Sequence, residues 1–263
     1  MYDNSNQVGI YLYQAPRTLV ADNHVYNSST GISVYQSGTW ANRVTVEGNR
    51  VHDTTTGISA SHHVDVAGNT VWGNSTGIDQ SYGLTRENVA FYNTTGITVS
   101  SGEVRDNQVY WNASIGLTSY DSLVQGNRVY ANAVGIADSG YSEVRNNLVW
   151  DNSSIGIRVR GGHTPADGDG VVNNTVVQTA GAAIRVESSA GNVRLANNIL
   201  DVSAGHAISV DPNSQQGFGS DYNLFALSGT GALALWEGET FTARADWLYE
   251  TGFDAHSVTA APS

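Results

Sequence analysis

Residues 44–61 read VTVEGNRVHDTTTGISAS, and residues 64–81 read VDVAGNTVWGNSTGIDQS. The second stretch repeats the first at an offset of 20 residues, with the same turn residues in the same places. Each has an asparagine after a glycine, a valine two positions on, and a Gly-Ile pair eight positions after the asparagine. Outward from there, the asparagine mark recurs at Asn23, Asn49, Asn69, Asn88, Asn107, Asn127, Asn147, Asn174, Asn198 and Asn223. The second mark, a small residue before Ile or Leu, recurs from Gly9-Ile10 through Gly116-Leu117 to Ala207-Ile208. Asparagine spacings run 26, 20, 19, 19, 20, 20, 27, 24 and 25 residues. A unit of that length with three short apolar segments buries itself only by stacking on its neighbours.

The segments are Val, Ile, Thr and Tyr separated by Gly, Asn and Ser, which is strand and turn composition. Leucine-rich repeats share the period, but their L-x-x-L-x-L grammar is absent, and helical repeats need longer units and helix formers. The reading is therefore an all-β solenoid of about ten coils. Strand alternation points Val46, Val51 and Ile58 inward. Each asparagine is expected in a left-handed turn, with its side chain bonded to the asparagines of adjacent coils in a ladder. Tyr26, His52, Trp72, Phe91, Tyr110, Tyr130 and Trp150 follow the asparagines by three residues and are expected to form a structural aromatic stack. Gln80, Ser119 and Asp138 stand where other coils place Val34, Val99 and Val159, so polar groups are expected inside the coils. Asn-x-Ser/Thr triplets at Asn27, Asn74, Asn93, Asn112, Asn152 and Asn173 match glycosylation acceptors, although Asn-rich turns generate such triplets by chance.

After Asn223 the pattern breaks. Thr242 is expected to cap a short helix through Tyr249, with Gly252 as its stop and with Trp247 and Leu248 covering the last coil. Residues 1–225 then form the coils and 226–263 a capping segment of the same domain. No comparable cap precedes the first coil, whose open edge would be sticky, so upstream sequence and other domains of a larger chain are expected.

The chain has 263 residues, 24 acids and twelve bases, all of them arginine, for a formal charge of −12. That balance argues against nucleic acid as a partner. The lack of cysteine removes disulfides, zinc-thiolate sites and cysteine nucleophiles, and no stretch is long and apolar enough to span a membrane as a helix. An acidic, cysteine-free chain rich in Ser, Thr and Asn fits an extracellular or bacterial cell-surface setting.

The repeats VEGNRVHDTTTGISAS and VQGNRVYANAVGIADS, with the terminal SDYNLF…DWLYETGFDAHSV, resemble the right-handed parallel β-helix repeat proteins. That group includes pectate lyases, other polysaccharide lyases and mannuronan C-5 epimerases. The resemblance covers nearly the whole chain and implies a single-stranded right-handed parallel β-helix. Its motifs report packing and not chemistry. The epimerase run of an aromatic residue, Gly-Phe, Asp, Pro and His aligns with Thr76-Gly77-Ile78-Asp79-Gln80-Ser81. Only the glycine and Asp79 match there, and the family's lysine is missing from a lysine-free chain, so that mechanism does not transfer.

Counted from each Gly-Ile pair, the first and third following residues point outward and form a face suited to a polymer. Tyrosines crowd the first coils of this face, hydroxyls fill the middle, and charges crowd the last coils. The charged group is Arg158, Arg160, Arg185, Glu187 and Asp211, beside the insertion RGGHTPADGDGVV with His163, Asp167 and Asp169. Arginine forks suit carboxylate or sulfate. Arg158, Arg160, Arg185 and His163 are the catalytic candidates for β-elimination or epimerisation, and Asp167, Asp169 and Asp211 the candidate calcium ligands. A salt-bridge ladder is the structural alternative. Tyr11, Tyr13, Tyr35 and Trp40 are candidates for stacking on sugar rings, with Glu187 and Asp79 as further substrate contacts. His62 and His63 read as a solvated turn pair. The expected function is a secreted polysaccharide-active domain working on an acidic glycan, as a lyase, epimerase or hydrolase. The alternatives are a carbohydrate-binding module without catalysis and a structural or adhesion solenoid.

Overall fold

The computed structural model describes residues 4–36, 39–161 and 170–260. It is an all-β parallel solenoid of about ten turns with one short helix near the C-terminal end. Three strands per turn arise from the three apolar segments of the repeat. In one coil these are Val44–Glu47, Arg50–His52 and Thr56–Ser61. They pair in parallel with Val64–Ala67, Thr70–Trp72 and Thr76–Ser81 of the next coil. Val46, Val51 and Ile58 are fully buried, as alternation requires. The glycine before each isoleucine has a steric cause, since a Cβ on Gly77 would lie 2.5 Å from the Gly96 carbonyl oxygen. The chain divides into two compact units, Met1–Arg128 and Val129–Ser263.

Within each unit the marked asparagines are joined by side-chain bonds, and all from Asn49 onward are buried. The Asn69 Nδ2 donates to Asn88 Oδ1 at 3.0 Å and to the Val46 carbonyl at 2.8 Å, and its backbone N–H donates to Asn88 Oδ1 at 2.9 Å. Asn174 makes the equivalent bonds to Asn198 Oδ1 and the Val144 carbonyl. The left-handed residue, however, is the one before each asparagine. Gly48, Gly68, Glu87 and Asp106 have φ of 65, 63, 58 and 58°. The physical reason is that the carboxamide bonds back to the carbonyl two residues earlier, as from Asn49 to Glu47 at 2.9 Å. The reversal therefore falls on the residue between them.

A second row of carboxamides lies at another corner. Thr54 Oγ1 donates to Asn74 Oδ1, Asn74 Nδ2 to Asn93 Oδ1, and Asn93 Nδ2 to Asn112 Oδ1, at 2.7, 2.9 and 3.0 Å. Asn74, Asn93, Asn112 and Asn152 are all buried, so these four glycosylation triplets are core residues out of reach of an oligosaccharide transferase. The aromatic residues stack as the repeat predicts, with Tyr26–His52, His52–Trp72, Trp72–Phe91 and Phe91–Tyr110 centroids 4.3–5.9 Å apart. Gln80, Ser119 and Asp138 are buried. Gln80 is satisfied by donating to the Val64 carbonyl at 2.6 Å and accepting from Thr85 Oγ1, and Asp138 Oδ1 accepts the Gly140 N–H at 3.0 Å.

At the C-terminal end, parallel pairing with Ile199–Val210 continues to Trp236. Strand Glu239–Phe241 then turns back antiparallel, and helix α1 follows at Arg244–Thr251. Thr242 is not its cap. Ala243 takes that position in extended backbone without a side-chain bond, because the chain leaves the strand still extended and begins to coil later than the capping pattern places it. Gly252 ends the helix as expected, with φ 75° and its N–H on the Leu248 carbonyl. Trp247 is fully buried against Phe241 and Trp236, and Leu248 is half-buried. The Trp247 indole N–H and the Asn223 Nδ2 both donate to the buried Asp254 carboxylate, at 2.9 and 3.0 Å.

Candidate functional site

In the Met1–Arg128 unit the outward positions fall into two straight rows. Tyr11, Ser33, Ser59, Asp79, Thr98 and Thr118 are in register, as are Tyr13, Tyr35, Ser61, Ser81, Ser100 and Tyr120. Strand spacing makes each row a ladder with a rung about every 4.8 Å. Asp79 stands between Ser59 and Thr98, and partial desolvation raises its carboxyl above the ordinary carboxylate value, although the side chain still reaches solvent.

Tyr13 stacks on Tyr35 at 5.5 Å and 12°. Here the histidine pair departs from the solvated-turn expectation. His62 packs its edge against Tyr35 at 5.2 Å and stacks on Tyr82 at 5.0 Å, so Tyr13, Tyr35, His62 and Tyr82 form one aromatic row. His63 meets Trp40 edge-on at 5.3 Å. The Nδ1 atoms of both histidines are buried. They lie in the turn because the chain takes left-handed backbone immediately after each outward strand, at His62, Tyr82, Ser101 and Asp121 with φ of 59, 52, 51 and 48°. The N–H groups of His62, Tyr82 and Ser101 then bond to the following coil, each at 2.9 Å. Bulky side chains in left-handed backbone cost of order 1 kcal/mol each, a cost the next coil's hydrogen bond offsets.

Beside this row lies a cleft of about 680 Å³, walled by Trp40, His63, Tyr82 and Leu84, with Ser101, Glu103 and Asp121 among its polar groups. Its floor is held from below. Gln80 grips the Val64 carbonyl and Thr85, and a Cβ on Gly83 would run into the Gln80 amide. Glu103 is paired with Arg105 at 3.1 Å and accepts from Gln125 at 2.9 Å. Asp121 accepts the Ser101 hydroxyl at 3.0 Å.

In the Val129–Ser263 unit the charged residues do come together. Arg158 and Arg185 are register neighbours. Glu187 is buried beneath them, with Arg160 Nε at 2.6 Å, Arg185 Nε at 2.7 Å and Arg158 Nε at 4.0 Å. Asp211 Oδ1 takes Arg185 Nη2 at 3.3 Å. Among the described residues, three guanidiniums thus face two carboxylates. Burial pulls the Arg158 guanidinium below its ordinary basicity and Arg160 and Arg185 add to that, against the opposing pull of Glu187. His163, Asp167 and Asp169 lie outside the described residues. Among the described residues, no group of three or more His, Cys, Asp or Glu gathers to hold a metal. Asp211, the calcium candidate among the described residues, has its Oδ1 on Arg185 Nη2.

Sequence reasoning placed Tyr13, Tyr35 and Trp40 on the exposed surface, where they lie, and the arginine set outward, although the Arg158 side chain is only 15% exposed. It missed that Trp40 closes on a turn in the neighbouring coil, and it missed Glu103 and Asp121 altogether. The available signal was the position after each third outward residue, which reads His62, Tyr82, Ser101 and Asp121 in successive coils.

The sequence matches the model of the right-handed β-helix region over residues 2–134 and 87–225. The chain belongs to the right-handed β-helix family. No curated protein matches this β-helix in sequence. Among solved structures it is similar to the A-module of mannuronan C-5 epimerase AlgE6 of Azotobacter vinelandii, with TM-score 0.66 and 16% identity over 98% of this chain and 81% of that one. The AlgE4 A-module of the same organism gives TM-score 0.54 and 15% identity, over 93% and 81%. Pectate lyase Pel9A gives 0.47 and 13%, over 88% and 74%. At such identities the likeness is one of fold.

Proposed function

We propose that this β-helix acts on a polysaccharide, and that the polymer is acidic. The observation that carries the reading is the convergence of Arg158, Arg160 and Arg185 on Glu187 and Asp211, which leaves more guanidinium than carboxylate among the described residues of one outward face, in a chain with net charge −12. β-Elimination and C-5 epimerisation both begin when a base takes the proton beside a uronate carboxylate. A guanidinium cluster neutralises that carboxylate and stabilises the charge that develops. Arg158 is the arginine whose proton is loosened by its surroundings, which makes it the first candidate for the base. The fold relationship to a mannuronan epimerase supports a glycan as the substrate. Secretion, and a place beside other domains of a larger chain, belong to the same reading.

The test is a panel of alginate, pectate, chondroitin and neutral glycans, with calcium and with a chelator, read by unsaturated-uronate absorbance, reducing ends and proton NMR for epimerisation. Turnover of a uronate polymer that is abolished in Arg158→Ala and Arg185→Ala is expected. Full turnover in both variants removes this site from the chemistry, and the two calcium arms decide whether the ion takes part. A second reading, glycan binding without catalysis, is favoured by the exposed row of Tyr13, Tyr35 and Tyr82.

A further inference from the structure

The cleft beside Tyr82 in the Met1–Arg128 unit has a chemistry opposite to that of the arginine set. Its walls are flat and apolar. Trp40 and Tyr82 are about half exposed, at 44% and 53%, and each is braced by a histidine, Trp40 by His63 and Tyr82 by His62. Bracing of this kind removes rotamer freedom before a ligand arrives. The volume of about 680 Å³ falls within the roughly 300–1,000 Å³ of small-molecule sites.

The charged groups of the lining are both carboxylates, Glu103 and Asp121. Glu103 is neutralised by Arg105, while Asp121 is held only by the Ser101 hydroxyl and forms no ion pair among the described residues. An oligouronate entering here would bring its carboxylate against Asp121 with no guanidinium in the lining to receive it. A neutral pyranose has what the cleft lacks, a C–H face for Trp40 and Tyr82 and hydroxyl donors for Asp121. Hydroxyl-to-carboxylate bonds are among the shorter and stronger hydrogen bonds.

We infer that this cleft is a binding site for uncharged sugar units, with Trp40 and Tyr82 as its stacking walls and Asp121 as the residue that selects hydroxyl donors over carboxylates. The inference rests on the carbohydrate-binding reading of this unit and adds the class of sugar and the selecting residue. It is independent of the arginine set. Gln80 is a positioning residue beneath the cleft, because it holds the turn at Gly83 and Thr85 in place.

The test is calorimetric titration of the full chain with cellohexaose and mannohexaose, and in parallel with hexamannuronate and hexagalacturonate. A neutral hexasaccharide should bind, and Trp40→Ala and Asp121→Asn should each weaken it about tenfold, with unchanged melting temperatures. Neither uronate should compete for the cleft. Equal competition by a uronate, or neutral binding unaffected in both variants, overturns the inference. Neutral binding that falls only in the Tyr13→Ala/Tyr35→Ala double variant keeps the aromatic-row reading and removes the cleft. No binding of any oligosaccharide removes both.

Discussion

In the Met1–Arg128 unit the first outward row reads Tyr11, Ser33, Ser59, Asp79, Thr98 and Thr118, and in the Val129–Ser263 unit it reads Ala137, Arg158, Arg185 and Ser209. One face offers rings and hydroxyls and the other guanidiniums, yet the interiors beneath are alike. Val66, Val71 and Ile78 in one unit and Val144, Val149 and Ile157 in the other are fully buried. The asparagine rows make the same bonds in both, as at Asn69 to Asn88 and Asn174 to Asn198. In a solenoid, inward positions and turns carry the fold, while outward positions vary from coil to coil. Surface chemistry can therefore change along the face without altering the core.

The largest expected effect tests the shared interior. Asn88→Ala and Asn174→Ala should each destabilise the chain by about 3 kcal/mol, because each strands buried donors and acceptors of two neighbouring coils. Denaturant unfolding checks this, and a variant that unfolds like the parent would show that the two units are held differently. Glu187→Gln tests the contrast in surface charge. Removing the carboxylate that three arginines share should cost about 1–2 kcal/mol once the solvent screening of Arg160 and Arg185 is allowed for. It should also strengthen retention in a uronate affinity gel, since the released guanidiniums need an anion; weakened retention would mean that Glu187 shapes the site and does not merely fill it.

The smallest effect belongs to Asp79. Its folded carboxyl value is raised by desolvation above the ordinary 3.8, so its ionised form is the one the fold disfavours. The destabilisation is absent at low pH and appears as pH rises through that ordinary value. Asp79→Asn should therefore melt slightly higher than the parent at neutral pH and identically near pH 3. Identical melting at both values would show that the hydroxyl face around Asp79 solvates the charge fully.

The coil architecture was legible because its marks are periodic and each has one physical cause, such as the close approach at Gly77. The outward rows followed from alternation alone. The left-handed residue was displaced by one because its occupants vary, from Gly48 to Glu87 to Tyr222, while the asparagine beside it is constant. The cleft was not legible because Trp40 meets His63 across a coil boundary, a contact no local pattern encodes. The arginine set was legible as a cluster. Its central feature, a buried Glu187 shared by three guanidiniums, depends on side-chain directions that the register alone does not give.

The asparagine row of the Val129–Ser263 unit also has an electrical direction. From Asn147 through Asn174 to Asn198, each amide NH₂ donates to the side-chain oxygen of the next asparagine, while Asn174, Asn198 and Asn223 also donate to a backbone carbonyl one coil back. Aligned dipoles add, and hydrogen bonds in series polarise one another. The positive end of the series emerges at Asn223, where its NH₂ meets the carboxylate of Asp254, an acid fully buried with no ion pair among the described residues. The side-chain row thus ends on the Asp254 carboxyl as a helix N-terminus ends on an acceptor, with the donors of successive coils closing on one buried acid.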